Sequence, residues 1–122
     1  MRNIKILPVL FLLVGLGQPM FSPAQSEIEK KKIEFLLHEI EQLKGAKFWR
    51  NGSSYSPKQA ADHLRMKWGS KAGSAVKTAR DFIEGIASKS SMSGKPYEIE
   101  FENGTKMRAK DFLYKKLKEW KE

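Results

Sequence analysis

One histidine and a cluster of serines are the residues of this chain best suited to chemistry. His63 could serve as a general acid or base, because an imidazole titrates near neutral pH. The serine-rich connector, residues 88–96, offers hydroxyls that a nearby imidazole could activate as nucleophiles. The sequence therefore leaves open a small hydrolase that uses His63 and one connector serine. The serines concerned are Ser88, Ser90, Ser91 and Ser93.

A metal centre is not expected. The second histidine, His38, belongs to a different predicted helix, and neither imidazole has a partner at the HxxxH or HExxH spacing of zinc sites. The chain contains no cysteine, which excludes thiolate ligands and disulfides. We therefore predict no cofactor and no metal, and we favour a structural His63 that hydrogen-bonds to the nearby loops rich in serine and asparagine.

Two polar segments could form a recognition surface instead. Arg50 and Asn51 lie close to Trp49 and Tyr55, a mixture of charge and aromatic rings that is typical of binding sites. A purely local interpretation is also open, in which Asn51 makes a turn and Arg50 pairs with a carboxylate. The connector could bind an anion through its hydroxyls and amides, or simply cap the end of a helix. The predicted binding residues are Arg50, Asn51, Tyr55, His63, Ser88, Ser90, Ser91, Ser93 and Tyr97.

Four helices and one hairpin would position these side chains. Apolar residues at intervals of three and four predict a first helix from the N-cap Ser26 to Lys44 and a last helix from Asp111 to Lys121. The second helix is predicted from the N-cap Ser56 to about Trp68. The third begins at Ser74 or Thr78, and residues 50–54 are predicted as a turn without strands.

The predicted hairpin is centred on Asn103 and Gly104. Alternating apolar residues precede it, and a three-residue loop that ends in a bulge at Gly104 would pair Ile99 with Met107. The fold class is therefore α+β and mainly helical, with three helices, a β-hairpin and a C-terminal helix around one small core.

The N-terminus predicts export. Arg2 and Lys5 precede an apolar run from Ile6 to Gly17, which is too short for the roughly 20 residues of a membrane span. Ser22 and Ala24 fit a small-x-small cleavage site. We expect residues 1–24 to be a cleaved signal peptide and residues 25–122 to be one small exported domain, periplasmic or secreted.

The charge of the chain narrows the class of partner. The net charge is +9, and it becomes +7 once Arg2 and Lys5 are removed. Such a charge favours an anionic envelope component or an envelope protein as partner. Basic and acidic residues are interspersed along the helices, and export removes the chromosome as a partner, so chromosomal nucleic acid is not expected.

Several short motifs occur in an order that resembles a known family. These are Phe48-Trp49-Arg50-Asn51-Gly52, His63-Leu64-Arg65 and the serine-rich connector up to Tyr97. Behind a signal peptide, they resemble the YfeK-like family of short exported bacterial proteins, which is known only as a domain of unknown function. The resemblance covers residues 48–97 and implies export, but no activity, substrate, cofactor or partner.

The sequence thus predicts an uncharacterised exported protein that is a non-enzymatic binding or envelope-associated domain. Two alternatives stay open. One is the hydrolase that uses His63 and a connector serine, and the other is an electrostatic binder of an anionic envelope polymer.

Overall fold

The structure is a computed structural model that describes the backbone of residues 23–122 and the side chains of residues 27–122. The predicted basic n-region and apolar run lie outside the described residues. The described part contains four α-helices and four strands. The elements are α1 Pro23–Glu41, β1 Lys47–Arg50, β2 Ser53–Tyr55, α2 Pro57–Trp68, α3 Ala79–Phe82, β3 Glu98–Glu100, β4 Lys106–Arg108 and α4 Ala109–Glu119.

The bounds predicted for the first helix are wrong at both ends. Helix α1 begins at Pro23 and ends at Glu41, so Ser26 is not its N-cap. Proline is favoured in the first turn of a helix, which accounts for the earlier start. The Glu29 carboxylate, which a capping box would have required, instead accepts hydrogen bonds from Lys32 Nζ at 3.0 Å and from the Ala79 amide at 2.8 Å.

Helix α2 has the predicted bounds because its cap is complete. The Ser56 hydroxyl accepts the Gln59 amide at 3.1 Å, and the Gln59 side chain accepts the Ser56 amide at 2.9 Å. Pro57 occupies the first helical position, where its missing N–H removes no hydrogen bond. This cap fixes where α2 starts beside the sheet.

Of the two starts considered for the third helix, Thr78 is confirmed. Its hydroxyl accepts the Asp81 amide at 3.0 Å. The α-helix ends at Phe82, however, and residues Ile83–Ala87 form a π-helical turn that the sequence did not predict. The wider turn buries Ile86 and Ala87 together in the core.

The four strands form one antiparallel sheet in the order β2-β1-β3-β4. The sequence predicted only the β3–β4 hairpin, and its register is confirmed, since Ile99 pairs with Met107 and the Phe101 amide donates to the Thr105 carbonyl at 2.8 Å. The β1–β2 hairpin replaces the strandless turn predicted there. Asn51 and Gly52 join its strands with φ values of 52° and 83°, as a two-residue hairpin loop requires.

A single core joins the helices to one face of the sheet. Helix α1 contributes its apolar side chains from Ile33 to Ile40, and the sheet contributes Phe48 and Ile99. Within residues 23–122, no helix is long and apolar enough to cross a membrane. The core leaves a pocket beside the β1–β2 hairpin, where side chains from the hairpin, α2 and Tyr97 meet.

Candidate ligand-binding site

A pocket of about 390 Å³ lies between the β1–β2 hairpin and helix α2. This volume is within the range of about 300–1,000 Å³ that is typical of small-molecule sites. Aromatic side chains form much of the wall, and the polar groups come from residues that are distant in sequence. The residues that define this pocket here are Phe48, Trp49, Arg50, Tyr55, His63 and Tyr97.

The hairpin and α2 hold Arg50 against His63. A guanidinium nitrogen of Arg50 lies 3.2 Å from His63 Nε2, and the other donates to the Tyr55 hydroxyl at 3.3 Å. The guanidinium carbon lies 5.2 Å from the centre of the Tyr55 ring, within cation–π distance. Since arginine only donates, His63 Nε2 must accept, which fixes a neutral imidazole with its proton on Nδ1.

Lys67 carries a buried positive charge behind the pocket wall. Lys67 is only 9% exposed to solvent. Its Nζ donates hydrogen bonds to the carbonyls of Ile86 at 2.8 Å and Lys89 at 3.0 Å. The third hydrogen bond runs to the Tyr97 hydroxyl at 3.1 Å. The Ile86 carbonyl can accept the bond from Lys67 because it lies near the end of the π-helical turn, where no following helical N–H is available to pair with it.

The Tyr97 hydroxyl connects Lys67 to His63. It accepts from Lys67 and lies 3.5 Å from His63 Nε2, whose single lone pair it shares as a donor with the Arg50 guanidinium. Lys67, Tyr97, His63 and Arg50 thus form one continuous network. All hydrogen bonds in this network are compatible with a neutral His63 and with positively charged Arg50 and Lys67.

Burial and positive charge set the protonation of this network. Burial, followed by the charges of Arg50 and Lys67, holds the pKa of His63 below its usual range. Burial and then the charge of Arg50 lower the pKa of Lys67. Burial raises the pKa of the Tyr97 phenol. The lowered pKa values of His63 and Lys67 have the sign expected for a cationic, partly desolvated site, whereas for Tyr97 burial outweighs the opposing effect of Arg50.

Asn51 and two serines form a second cluster at the tip of the hairpin. The Asn51 amide nitrogen donates to the Ser90 hydroxyl at 3.2 Å, and the Ser93 hydroxyl donates to the Asn51 carbonyl oxygen. Ser90 Oγ also accepts the backbone amides of Met92 and Ser93 at 3.3 Å each. These two connector amides are therefore engaged within the connector itself.

The predicted binding residues separate into two groups. Four of them share the pocket and its network, whereas none of the connector serines lines the pocket. The Ser88 hydroxyl donates to the Glu84 carbonyl at 2.8 Å, and Ser91 is exposed. Among residues 27–122, the structure gives no hydrogen bond between His63 and a serine, and the imidazole contacts Arg50 and Tyr97 instead of the predicted loops. The four pocket residues are Arg50, Tyr55, His63 and Tyr97.

Lys67 was not among the predicted site residues. A signal for it exists in the sequence, because Lys67 follows Leu64 by three positions and His63 by four, which places a lysine on the buried face of α2. A lysine at such a position is almost never buried without a partner. The partners, two backbone carbonyls and a tyrosine, could not be read from the sequence.

The fold and the pocket define a small, mainly helical α+β domain with a cationic, aromatic-walled cavity. The chain belongs to the DUF5329 family of unknown function, whose family model matches residues 27–121. It is 39% identical over 69 residues to an uncharacterised protein, YfeK, of Salmonella typhimurium strain LT2. That match covers 57% of each chain, so the chain spans little more than half of this relative. No solved structure matches the chain.

Proposed function

We propose that the chain is an exported, non-enzymatic binding domain whose ligand is a small molecule held in the pocket between the β1–β2 hairpin and α2. The observation that carries this proposal is the meeting of Arg50, Tyr55, His63 and Tyr97 at one cavity of about 390 Å³. Aromatic walls with a few convergent polar groups are characteristic of ligand sites.

A binding role accounts for the site better than hydrolysis does. A hydrolase of the serine–histidine kind needs a hydroxyl within hydrogen-bond reach of the imidazole. The Ser88 hydroxyl donates to the Glu84 carbonyl in the π-helical turn, and the Ser93 hydroxyl donates to Asn51. The Ser90 hydroxyl is buried against the hairpin tip, where it accepts from Asn51. Among residues 27–122, the hydrogen-bond partners that the structure gives His63 are Arg50 and Tyr97, which hold it in place.

A fragment screen by NMR tests the proposed site. Soluble aromatic fragments with positive, neutral and negative charge are added to the protein, and perturbed amides are mapped. We expect the perturbations to cluster on the pocket and to vanish in Ala60→Trp, since Ala60 lines the cavity and an indole would fill it. Ala75→Trp, at an exposed site away from the pocket, should leave them unchanged. Perturbations scattered over the basic surface, or insensitive to Ala60→Trp, would favour the polymer-binding alternative and contradict the proposal.

Export is the second part of the proposal. The basic start, the apolar run from Ile6 to Gly17 and a family match that begins at residue 27 all support removal of the first 24 residues. Expression in a Gram-negative host should give a periplasmic or secreted protein whose N-terminal residue is Gln25. Ala24→Arg should block cleavage and retain the precursor at the membrane. A cytoplasmic protein that keeps residue 1 would refute export.

A further inference from the structure

Resting on the proposed function, we infer that the pocket recognises an anionic group, a carboxylate or a phosphate ester, attached to a flat apolar body. The inference comes from the charges of the pocket, from the hydrogen-bond donors that remain at its polar end, and from the shape of its walls.

In the described part of the chain, no carboxylate pairs with the positive charges at the pocket. Among residues 27–122, the structure gives neither Arg50 nor Lys67 an ion pair with an acidic side chain; their partners are a histidine, two tyrosines and backbone carbonyls. Asp62 is the one acid in the described pocket lining, and its carboxylate faces Lys58 at 3.2 Å and Arg65 at 3.8 Å. Burying a cation such as Lys67 without a counter-charge is costly, and a bound anion would offset part of that cost.

Arg50 is the group that would contact the anion. Lys67 uses its three N–H bonds on Ile86, Lys89 and Tyr97, so it acts as a fixed charge behind the wall. Arg50 has five N–H bonds and donates to His63, Tyr55 and Tyr97, which leaves two donors for a ligand. A guanidinium can bind a carboxylate or phosphate through two parallel hydrogen bonds.

The walls of the pocket select the rest of the ligand. Phe48, Trp49 and Tyr97 line the cavity together with Leu64, so that most of the contact available to a ligand is aromatic or aliphatic. A planar ring gains the most from such walls. A cationic ligand would meet two like charges, because Lys67 and Arg50 are close enough to His63 for both to lower its pKa.

Three probes that share one ring and differ in charge test this inference. They are indole-3-acetate, indole-3-acetamide and tryptamine, and the dissociation constant of each is measured by NMR titration of the mature protein at pH 7. We expect the acetate to bind roughly tenfold more tightly than the amide, as a charge-assisted pair with arginine would provide. Tryptamine should bind more weakly than the amide. Indoxyl phosphate serves as a fourth probe, and its affinity relative to the acetate decides between a phosphate ester and a carboxylate.

Matched variants separate the pocket from the general basic charge of the protein. Arg50→Gln should remove the preference for the acetate over the amide, whereas Arg108→Gln, at an exposed position on β4, should keep it. Both variants lose one positive charge, so a loss in both would mean surface attraction only. Equal affinity for acetate and amide would overturn the inference and leave the pocket as a binding site. Failure of all four probes would also overturn it, while the proposed site would still be judged by the broader fragment screen.

Discussion

Lys67 and Lys116 lie in two regions of the molecule that shift the lysine pKa in opposite directions. Lys116, on α4, lies 3.3 Å from the carboxylates of both Glu39 and Glu119. Its surroundings raise its pKa, since the two carboxylates outweigh the opposing effect of burial. Lys67, on α2, is more deeply buried, has no acidic partner among the described residues, and has a lowered pKa through burial and the charge of Arg50.

The two lysines show where the structure retains positive charge that no acid balances. On the α1–α4 side, partly exposed cations are matched by acids, which gives ion pairs of modest energy. On the pocket side, the buried Lys67 and the half-buried Arg50 are held by neutral acceptors. Only the second region would gain strongly from an added anion.

Replacing each lysine in turn should give the largest difference in the free energy of unfolding. Lys67→Met leaves two carbonyls and the Tyr97 hydroxyl without their donor, and we expect it to lower the free energy of unfolding by about 2 kcal/mol. Lys116→Met should cost less than about 1 kcal/mol, because its ion pairs are partly exposed. Urea unfolding of the two variants measures both. Equal losses would remove the distinction between the two regions.

A smaller contrast is expected from two tyrosine hydroxyls. Tyr97→Phe takes away the acceptor of a buried lysine and should cost about 1–2 kcal/mol. Tyr114→Phe removes a hydrogen bond to the exposed Glu84 and should change stability by no more than about 0.5 kcal/mol. Thermal unfolding at one pH compares them. If Tyr114→Phe were the more costly change, the network around Tyr97 would not be the better-ordered one.

The smallest effect concerns the pH dependence of stability. Because the folded state holds the pKa of His63 below the ordinary histidine value of about 6.5, the unfolded chain binds more protons as the pH falls through that value. Stability associated with His63 should therefore be complete above pH 7 and decline as the pH falls below about 6.5. His63→Gln should flatten the profile between pH 7 and 5.5, measured by urea unfolding. If the slope of stability against pH were unchanged in His63→Gln, the pH dependence would come from a group other than His63.

The two Asn-Gly pairs show how much of the fold could be predicted from sequence. At Asn103, alternating Ile99 and Phe101 on one side and Met107 on the other identified both the hairpin and its register. At Asn51 the same dipeptide also joins two strands, but β2 consists of Ser53, Ser54 and Tyr55 and has no apolar alternation. The structure shows that β2 pairs with β1, which in turn pairs with the distant strand β3, and this second contact is one that no local pattern contains.

The candidate site was predictable only in part for a related reason. Arg50, Tyr55, His63 and Tyr97 could be selected as polar or aromatic residues in unusual segments. Their grouping depends on how α2 packs against the β1–β2 hairpin, and so does the separation of the connector serines from His63. Local sequence indicates which side chains are unusual, whereas their partners are set by contacts between distant elements.

Adding one negative charge to the pocket tests whether its unbalanced positive charge selects an anionic ligand. Gln59 lines the pocket and supplies the side chain of the α2 capping box, and Gln59→Glu keeps that box, since glutamate can fill the same role. The claim predicts that the dissociation constant of indole-3-acetate rises roughly three- to tenfold in this variant, through repulsion of the probe and competition for Arg50. The affinity for indole-3-acetamide should stay the same. An unchanged or tighter affinity for indole-3-acetate would contradict the claim that unbalanced positive charge at the pocket selects an anion.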